Sequence, residues 1–135
     1  MRTSLHYWVI CIAVVLLALI VGYAYDGYKE QGSLAQRAAL LTRGSPAKGR
    51  DALATYGCGG CHVIPGVVGA QGLSSPPLNN FGSRAYIAGE LRNTPDSLMQ
   101  WIMHPHAVEP KTAMPELGVS EGDARDMAAY LYTLN

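Results

Sequence analysis

The sequence predicts an all-α protein, a helical domain of about ninety residues carried behind one N-terminal transmembrane helix. Three observations predict it. Eighteen of the nineteen residues from Tyr7 to Tyr25 are apolar, helix starts recur at Ser45-Pro46, Thr94-Pro95 and Ser120, and the period-two alternation of a half-buried strand is hardly visible. The 135 residues are 49% hydrophobic and only 15% charged, yet outside the Tyr7–Tyr25 run the apolar share falls to about 41%, an ordinary value. A formal net charge of zero with no Lys/Arg cluster gives nucleic-acid phosphates nothing to bind. Low net charge with ample apolar content is also the opposite of a disordered composition.

The first element is the apolar run. No Asp, Glu, Lys or Arg occurs from Leu5 to Tyr25, and about twenty apolar residues let a helix cross roughly 30 Å of hydrocarbon. Tyr7 and Trp8 at one end, with Tyr23, Tyr25 and Tyr28 at the other, suit the two interfacial belts. Arg2 precedes the span, while Asp26, Lys29 and Glu30 after it nearly cancel; the positive-inside bias then places the N-terminus in the cytoplasm and the remainder outside. The rival reading is a cleaved signal peptide, for which Gly22-Tyr23-Ala24 offers small residues, but the run exceeds the roughly 7 to 15 apolar residues usual there. Residues 1–25 are thus expected to be a retained anchor.

Residues 26–44 turn polar and form a linker, in which Ser33 caps a short amphipathic helix over Leu34 to Leu41 that Gly44 ends. Residues 45–135 are the outer domain. Ser45 as N-cap with Pro46 in the first turn opens a helix through Leu53 towards Tyr56. Gly residues punctuate a loop and short helix from Phe81 to Leu91. Thr94-Pro95-Asp96 opens a helix whose Leu98, Trp101 and Ile102 share a buried face until Pro105 stops it. Ser120 with Asp123 resembles a capping box and starts a last helix reaching Leu134.

Residues 58–62 read Cys-Gly-Gly-Cys-His, and Cys-x-x-Cys-His is the attachment signature of c-type haem. Two thiols three positions apart on one tight turn reach both vinyl groups from one side of the porphyrin, and the adjacent imidazole then meets the iron from one face. Cys58 and Cys61 are therefore expected to anchor one haem c through thioethers, with His62 as axial ligand. A redox dithiol wants a βαβ setting that is absent, and zinc wants two more ligands, which His104 and His106 offer on paper.

From Ser45 to Asn135 the sequence resembles the class I cytochromes c. The resemblance rests on Gly49 to Leu53 before the Cys-Gly-Gly-Cys-His turn, Ser75-Pro76-Pro77-Leu78, Asn93-Thr94-Pro95 leading to Trp101-Ile102, Thr112-Ala113-Met114-Pro115, and Ala129-Tyr130-Leu131. It implies a class I cytochrome c fold around the haem, with Met114 as the second axial ligand. Met114 lies in a Pro-flanked stretch where the backbone is pinned, whereas Met99, Met103 and Met127 fall in predicted helices where Met is usually core filler. His104 and His106 are the competing sixth ligands. The resemblance also implies that the carbonyl of Pro76 or Pro77 accepts from His62, that Trp101 and Arg84 hydrogen-bond the haem propionates, and that Gly49 and Tyr130 meet where the first and last helices cross. Leu73, Leu78, Val67 and Val68 are expected to cover the porphyrin.

The stretch from Tyr86 to Leu134 is similar to the cytochrome c domain fused to the copper-bearing subunit of some haem-copper oxidases. Iron held by both His62 and Met114 has no open position, which leaves one-electron transfer as the chemistry. The expected role is that of a membrane-tethered carrier, subunit of or donor to a respiratory terminal oxidase, receiving electrons from a quinol-oxidising complex, in the bacterial inner membrane with the haem domain periplasmic. It would be no enzyme on its own. Alternatives are a carrier for a nitrogen-oxide reductase or photosynthetic reaction centre, and a haem enzyme or gas sensor in which Met114 dissociates.

Overall fold

The computed structural model describes residues 2–135, and their side chains from His6 onward; Met1 and the side chain of Arg2, on which the orientation reading draws, lie outside the described residues. One compact unit ends at Ser33 and the other spans Leu34–Asn135. Helix α1 (Arg2–Thr42) carries the apolar run in the part that belongs to the first unit. The side chains from Tyr7 to Tyr25 are exposed on every side, a pattern that only an apolar surrounding stabilises. It is the one helix among the described residues long and apolar enough to cross a membrane.

The linker helix is not a separate element. No Pro interrupts the chain between Tyr25 and Thr42, and Gly27 and Gly32 only weaken a helix. Ser33 does not cap. Its hydroxyl donates back to the Glu30 carbonyl at 2.8 Å, the bond of a Ser inside a helix. Nor does Gly44 end the helix through its own conformation. Arg43 takes the left-handed turn at φ 60°, and Gly44 is needed because a Cβ there would overlap the Arg125 carbonyl.

In the second unit, helix α2 (Pro46–Thr55) packs against helix α5 (Glu121–Leu131). Ser45 caps α2 by accepting from the Lys48 N–H, while its own N–H donates to Asp126 Oδ1 at 2.6 Å. Gly49 lies on the backbone of α5, and an added Cβ would overlap the Asp126 carbonyl. The expected crossing of the first and last helices of the domain is thus present at Gly49. Backbone fills the space at Gly49, and the Tyr130 hydroxyl instead donates to the Pro65 carbonyl at 2.6 Å, where Gly66 leaves room for it.

Helix α3 (Pro95–Met103), capped by Thr94 accepting from the Ser97 N–H, also packs on α5 and buries Leu98 and Ile102. Pro105 ends α3 and begins the one-turn α4 (Pro105–Val108). The loop expected between Phe81 and Leu91 contains a 3-10 turn at Phe81–Ser83 and a small antiparallel hairpin, β1 (Tyr86–Ile87) with β2 (Leu91–Arg92). Two residues per strand are too few for alternation to show in sequence. Ser120 caps α5 by accepting from the Asp123 N–H at 3.1 Å. The helix stops at Leu131 because the chain turns there to bond Thr133 and Leu134 to the last carbonyls. Leu53, Ile64, Phe81, Ile87, Leu98, Ile102, Met127 and Leu131 are the large members of one core.

Candidate functional site

The Cys-Gly-Gly-Cys-His segment follows α2 through Gly57, whose φ of 73° is a left-handed turn that Gly adopts freely. Cys58–Gly60 then make a single 3-10 turn, closed by the Cys61 and His62 N–H groups donating to the Cys58 carbonyl at 3.3 and 3.0 Å. This winding brings both thiols and the imidazole onto one short stretch. Cys58 is half-buried and Cys61 exposed; burial pushes the Cys58 thiol above its ordinary pKa. Gly59 fits against Ala70, and Gly72 against Gly60 and Cys61, so the 63–72 loop folds back over the turn. The Val63 to Gln71 bridge and the Ile64 N–H bond to the Ala70 carbonyl close that loop.

His62 faces a cavity of about 350 Å³ that Met114, Trp101, Arg84 and Pro76 also line. A narrower apolar recess of about 60 Å³ adjoins it, sharing His62, Met114, Trp101, Leu78 and Phe81 and reaching Cys58, Leu53, Met127 and Leu131. Six of the seven residues singled out as anchors, ligands and neighbours of the cofactor, Cys58, His62, Pro76, Arg84, Trp101 and Met114, line these two spaces, whereas Cys61 lines neither and stands exposed on the turn. His104 and His106 do not line either space, nor do Met99 and Met103. Met127 borders the inner recess, fully buried as a core side chain.

Two local devices fix the nitrogen and sulfur donors. His62 Nδ1 lies 2.7 Å from the Pro76 carbonyl, which sets the tautomer with the proton on Nδ1 and leaves Nε2 free to bind a metal. The Pro77 carbonyl is occupied differently, accepting from Arg84 Nη2, which also donates to the Asn79 carbonyl at 2.9 Å. Met114 is held by its N–H donating to Thr112 Oγ1 at 3.2 Å, between a half-buried Thr and Pro115. Of the residues lining the larger cavity, Arg84 and Glu109 carry charge. The Arg84 guanidinium also lies 5.3 Å from the centre of the Phe81 ring, within cation–π range.

Asn93 ties this wall to the last helix. Its amide nitrogen donates to the Phe81 and Arg84 carbonyls at 3.0 and 2.9 Å, and its oxygen accepts from the Tyr132 hydroxyl at 2.8 Å. Burial pushes the Tyr132 phenol up to about 12. Three of the four expected covering residues, Val67, Val68 and Leu73, line neither space. Val68 and Leu73 are 99% and 89% exposed and point to solvent. Leu78 lines both spaces, and Val67 is buried in the core. Leu117 and Val119, not singled out from sequence, complete the recess; they lie in an irregular stretch without periodicity to mark them.

The donors suit a covalently held porphyrin. The Cys58 thiol, with the Cys61 thiol on the same turn, an imidazole with a fixed tautomer and a thioether border a space whose inner end is almost wholly apolar, and a cationic side chain borders the wider end. A family model described as cytochrome c matches residues 46–135. The chain is 36% identical over 88 residues to cytochrome c oxidase subunit 2 of Alkalihalophilus pseudofirmus, covering 64% of this chain and 25% of that protein. It is 34% identical over 70 residues to cytochrome c oxidase subunit 2 of Bacillus sp. (strain PS3), covering 50% of this chain and 20% of that protein. The chain therefore spans a quarter or less of the length of these relatives. No solved structure matches it significantly.

Proposed function

Because the chain belongs to the cytochrome c family, we propose that it is a membrane-tethered one-electron carrier that serves a respiratory terminal oxidase as subunit or donor. The observation that carries this reading is the convergence of His62 and Met114 on one cavity bordered by Cys58, since an iron held by both would have no coordination position left for a substrate. Haem supplies reversible one-electron storage at its iron. We read it as one haem c, joined through Cys58 and Cys61.

The protein's own part is to hold that group still and dry. The Pro76 carbonyl orients His62 and strengthens it as a ligand. Pro115 and Thr112 present the Met114 sulfur with little freedom to lose. Arg84 and Trp101 border the wider end of the cavity, where they would meet the propionates of a bound haem and Arg84 would offset their charge. The apolar recess of Leu53, Leu98, Ile102 and Leu131 would exclude water and favour the less charged ferrous state of a bound haem, for which a positive midpoint potential is expected.

Residues 1–25 act as the anchor and 26–44 as the linker of a domain spanning 45–135, held on the periplasmic side of a bacterial inner membrane. Tethering to the membrane of its partner gives an effective concentration of about millimolar, which replaces long-range steering. Relatedness to oxidase subunits supports an oxidase as acceptor, with a quinol-oxidising complex as the source of electrons. Gentle detergent extraction followed by identification of co-purifying subunits tests this reading. Oxidase subunits are expected in stoichiometric amount, and their absence alongside a different redox complex would refute it.

A further inference from the structure

Met99, Met103 and His104 form a cluster that the haem does not use. Met99 and Met103 are four residues apart on α3 and therefore neighbours on one helix face. Both line a surface cavity of about 470 Å³ that His104, Asp96 and Glu121 also border. His104 directly follows the helix with φ −135° and ψ 57°, so its imidazole leaves the helical path instead of continuing round the axis. The two Met side chains are half-buried and packed against the core, which holds their stems, while the open cavity lets a small ion approach from solvent. Glu121 is paired with Arg125; Asp96 makes no ion pair among the described residues and adds negative charge at the rim.

The donor set is selective. Two neutral thioethers and one imidazole are soft to intermediate ligands, suited to Cu(I) and poorly suited to Mg²⁺, Ca²⁺ or Mn²⁺. No three His, Cys, Asp or Glu side chains gather around a possible ion among the described residues, so zinc has no site of its usual composition. Packing alone does not call for sulfur here, since Leu would fill the same half-buried positions at little cost.

We propose that Met99, Met103 and His104 bind a Cu(I) ion at the surface of the cytochrome domain, separate from the haem ligands. Binding changes no oxidation state, and the Asp96 carboxylate balances the added positive charge. His106 lies two residues further on, exposed and outside the cavity, and takes no part.

The test uses the full chain with haem attached and reduced, in detergent, with Cys11→Ser as the background because that exposed thiol would itself take Cu(I). Cu(I) is titrated in competition with a chromogenic Cu(I) chelator under anaerobic reducing conditions. One equivalent should be withheld from the chelator with the ferrous haem spectrum unchanged. Since loss of even an outer partner of a metal site costs roughly tenfold in affinity, Met99→Leu, Met103→Leu and His104→Ala should each weaken binding by at least about tenfold, and His106→Ala should not. Absence of competition, retention of affinity in the Met99→Leu/Met103→Leu double variant, or uptake that perturbs the haem spectrum through Met114 would each overturn the assignment. The readout is independent of electron transfer, so it fails or succeeds apart from the oxidase reading.

Discussion

His62 Nδ1 stands 2.7 Å from the carbonyl oxygen of Pro76, a contact short enough to make the imidazole a better electron donor through its other nitrogen. A stronger donor stabilises the ferric state. Pro76→Gly keeps the carbonyl but frees the backbone that aims it, so the bond lengthens and the midpoint potential rises. The expected rise is about 20–60 mV, the upper end being a tenfold shift of a one-electron equilibrium, with both thioethers intact. Redox titration checks it, and a fall in potential would contradict the argument.

Met114 borders the same cavity as His62, and its replacement separates the carrier reading from a gas-binding one. Met114→His should lower the potential by more than about 60 mV, because a second imidazole favours ferric iron. Met114→Ala should abolish the red Met-to-iron band of the oxidised protein and admit carbon monoxide to the reduced form. Carbon monoxide binding by the unaltered protein would show that Met114 is not a fixed ligand.

The helix starts at Ser45, Thr94 and Ser120 were legible because each N-cap is a local event, a side-chain oxygen meeting an N–H three residues on. The Cys-Gly-Gly-Cys-His motif was legible for a similar reason, since Cys58, Cys61 and His62 fall within one turn. What sequence hid was long-range. Gly49 signals a helix crossing, but only the structure shows that the backbone of α5 at Asp126 lies against it. Asn93, which links Phe81, Arg84 and Tyr132, carries no sign of those partners in its neighbours. Ser33 had the composition of a cap, but its hydroxyl bonds backward, and nothing local distinguishes the two.

Gly49→Ala sets helix propensity against packing. Ala favours a helix over Gly by about 1 kcal/mol. At this position the new methyl overlaps the Asp126 carbonyl, and overpacking costs about 1–3 kcal/mol or more where backbone must move. The clash wins, so the net loss should be about 2 kcal/mol with α2 displaced from α5. Denaturant unfolding of the haem-loaded protein measures it; a stabilised variant would mean that the helices separate freely.

Asp123 joins the same two helices at their other end. The Ser120 and Tyr56 hydroxyls donate to its carboxylate at 2.8 and 2.9 Å, and these bonds, Ser120 first, hold its pKa below the ordinary 3.8. A depressed folded pKa means that the stabilisation is fully present above the unfolded value and is lost as pH falls through the folded one. Stability should therefore decline below about pH 4. Tyr56→Phe removes one donor, raises the Asp123 pKa, and should flatten the dependence of the denaturation midpoint on pH between about 5 and 3. An unaltered slope would place the acid sensitivity elsewhere.

From Ala52 to Ser83 the chain contains no Asp, Glu, Lys or Arg, and this stretch includes the exposed Cys61 and the solvent-facing Val68 and Leu73. Gly72 lies on Gly60 and Cys61, which puts Leu73 beside the cofactor-binding turn. A surface without charge cannot steer a partner from a distance; it can only adhere once brought near, the task assigned to the anchor. Electron delivery to the partner should then change by less than about threefold between roughly 20 and 200 mM salt, a range over which the Debye length shrinks about threefold. Val68→Lys with Leu73→Lys should slow delivery and introduce salt dependence while leaving the midpoint potential in place, as stopped-flow kinetics and redox titration would show. A steep fall in the rate of the unaltered protein with added salt would instead require charged docking, which the residues of this stretch cannot supply.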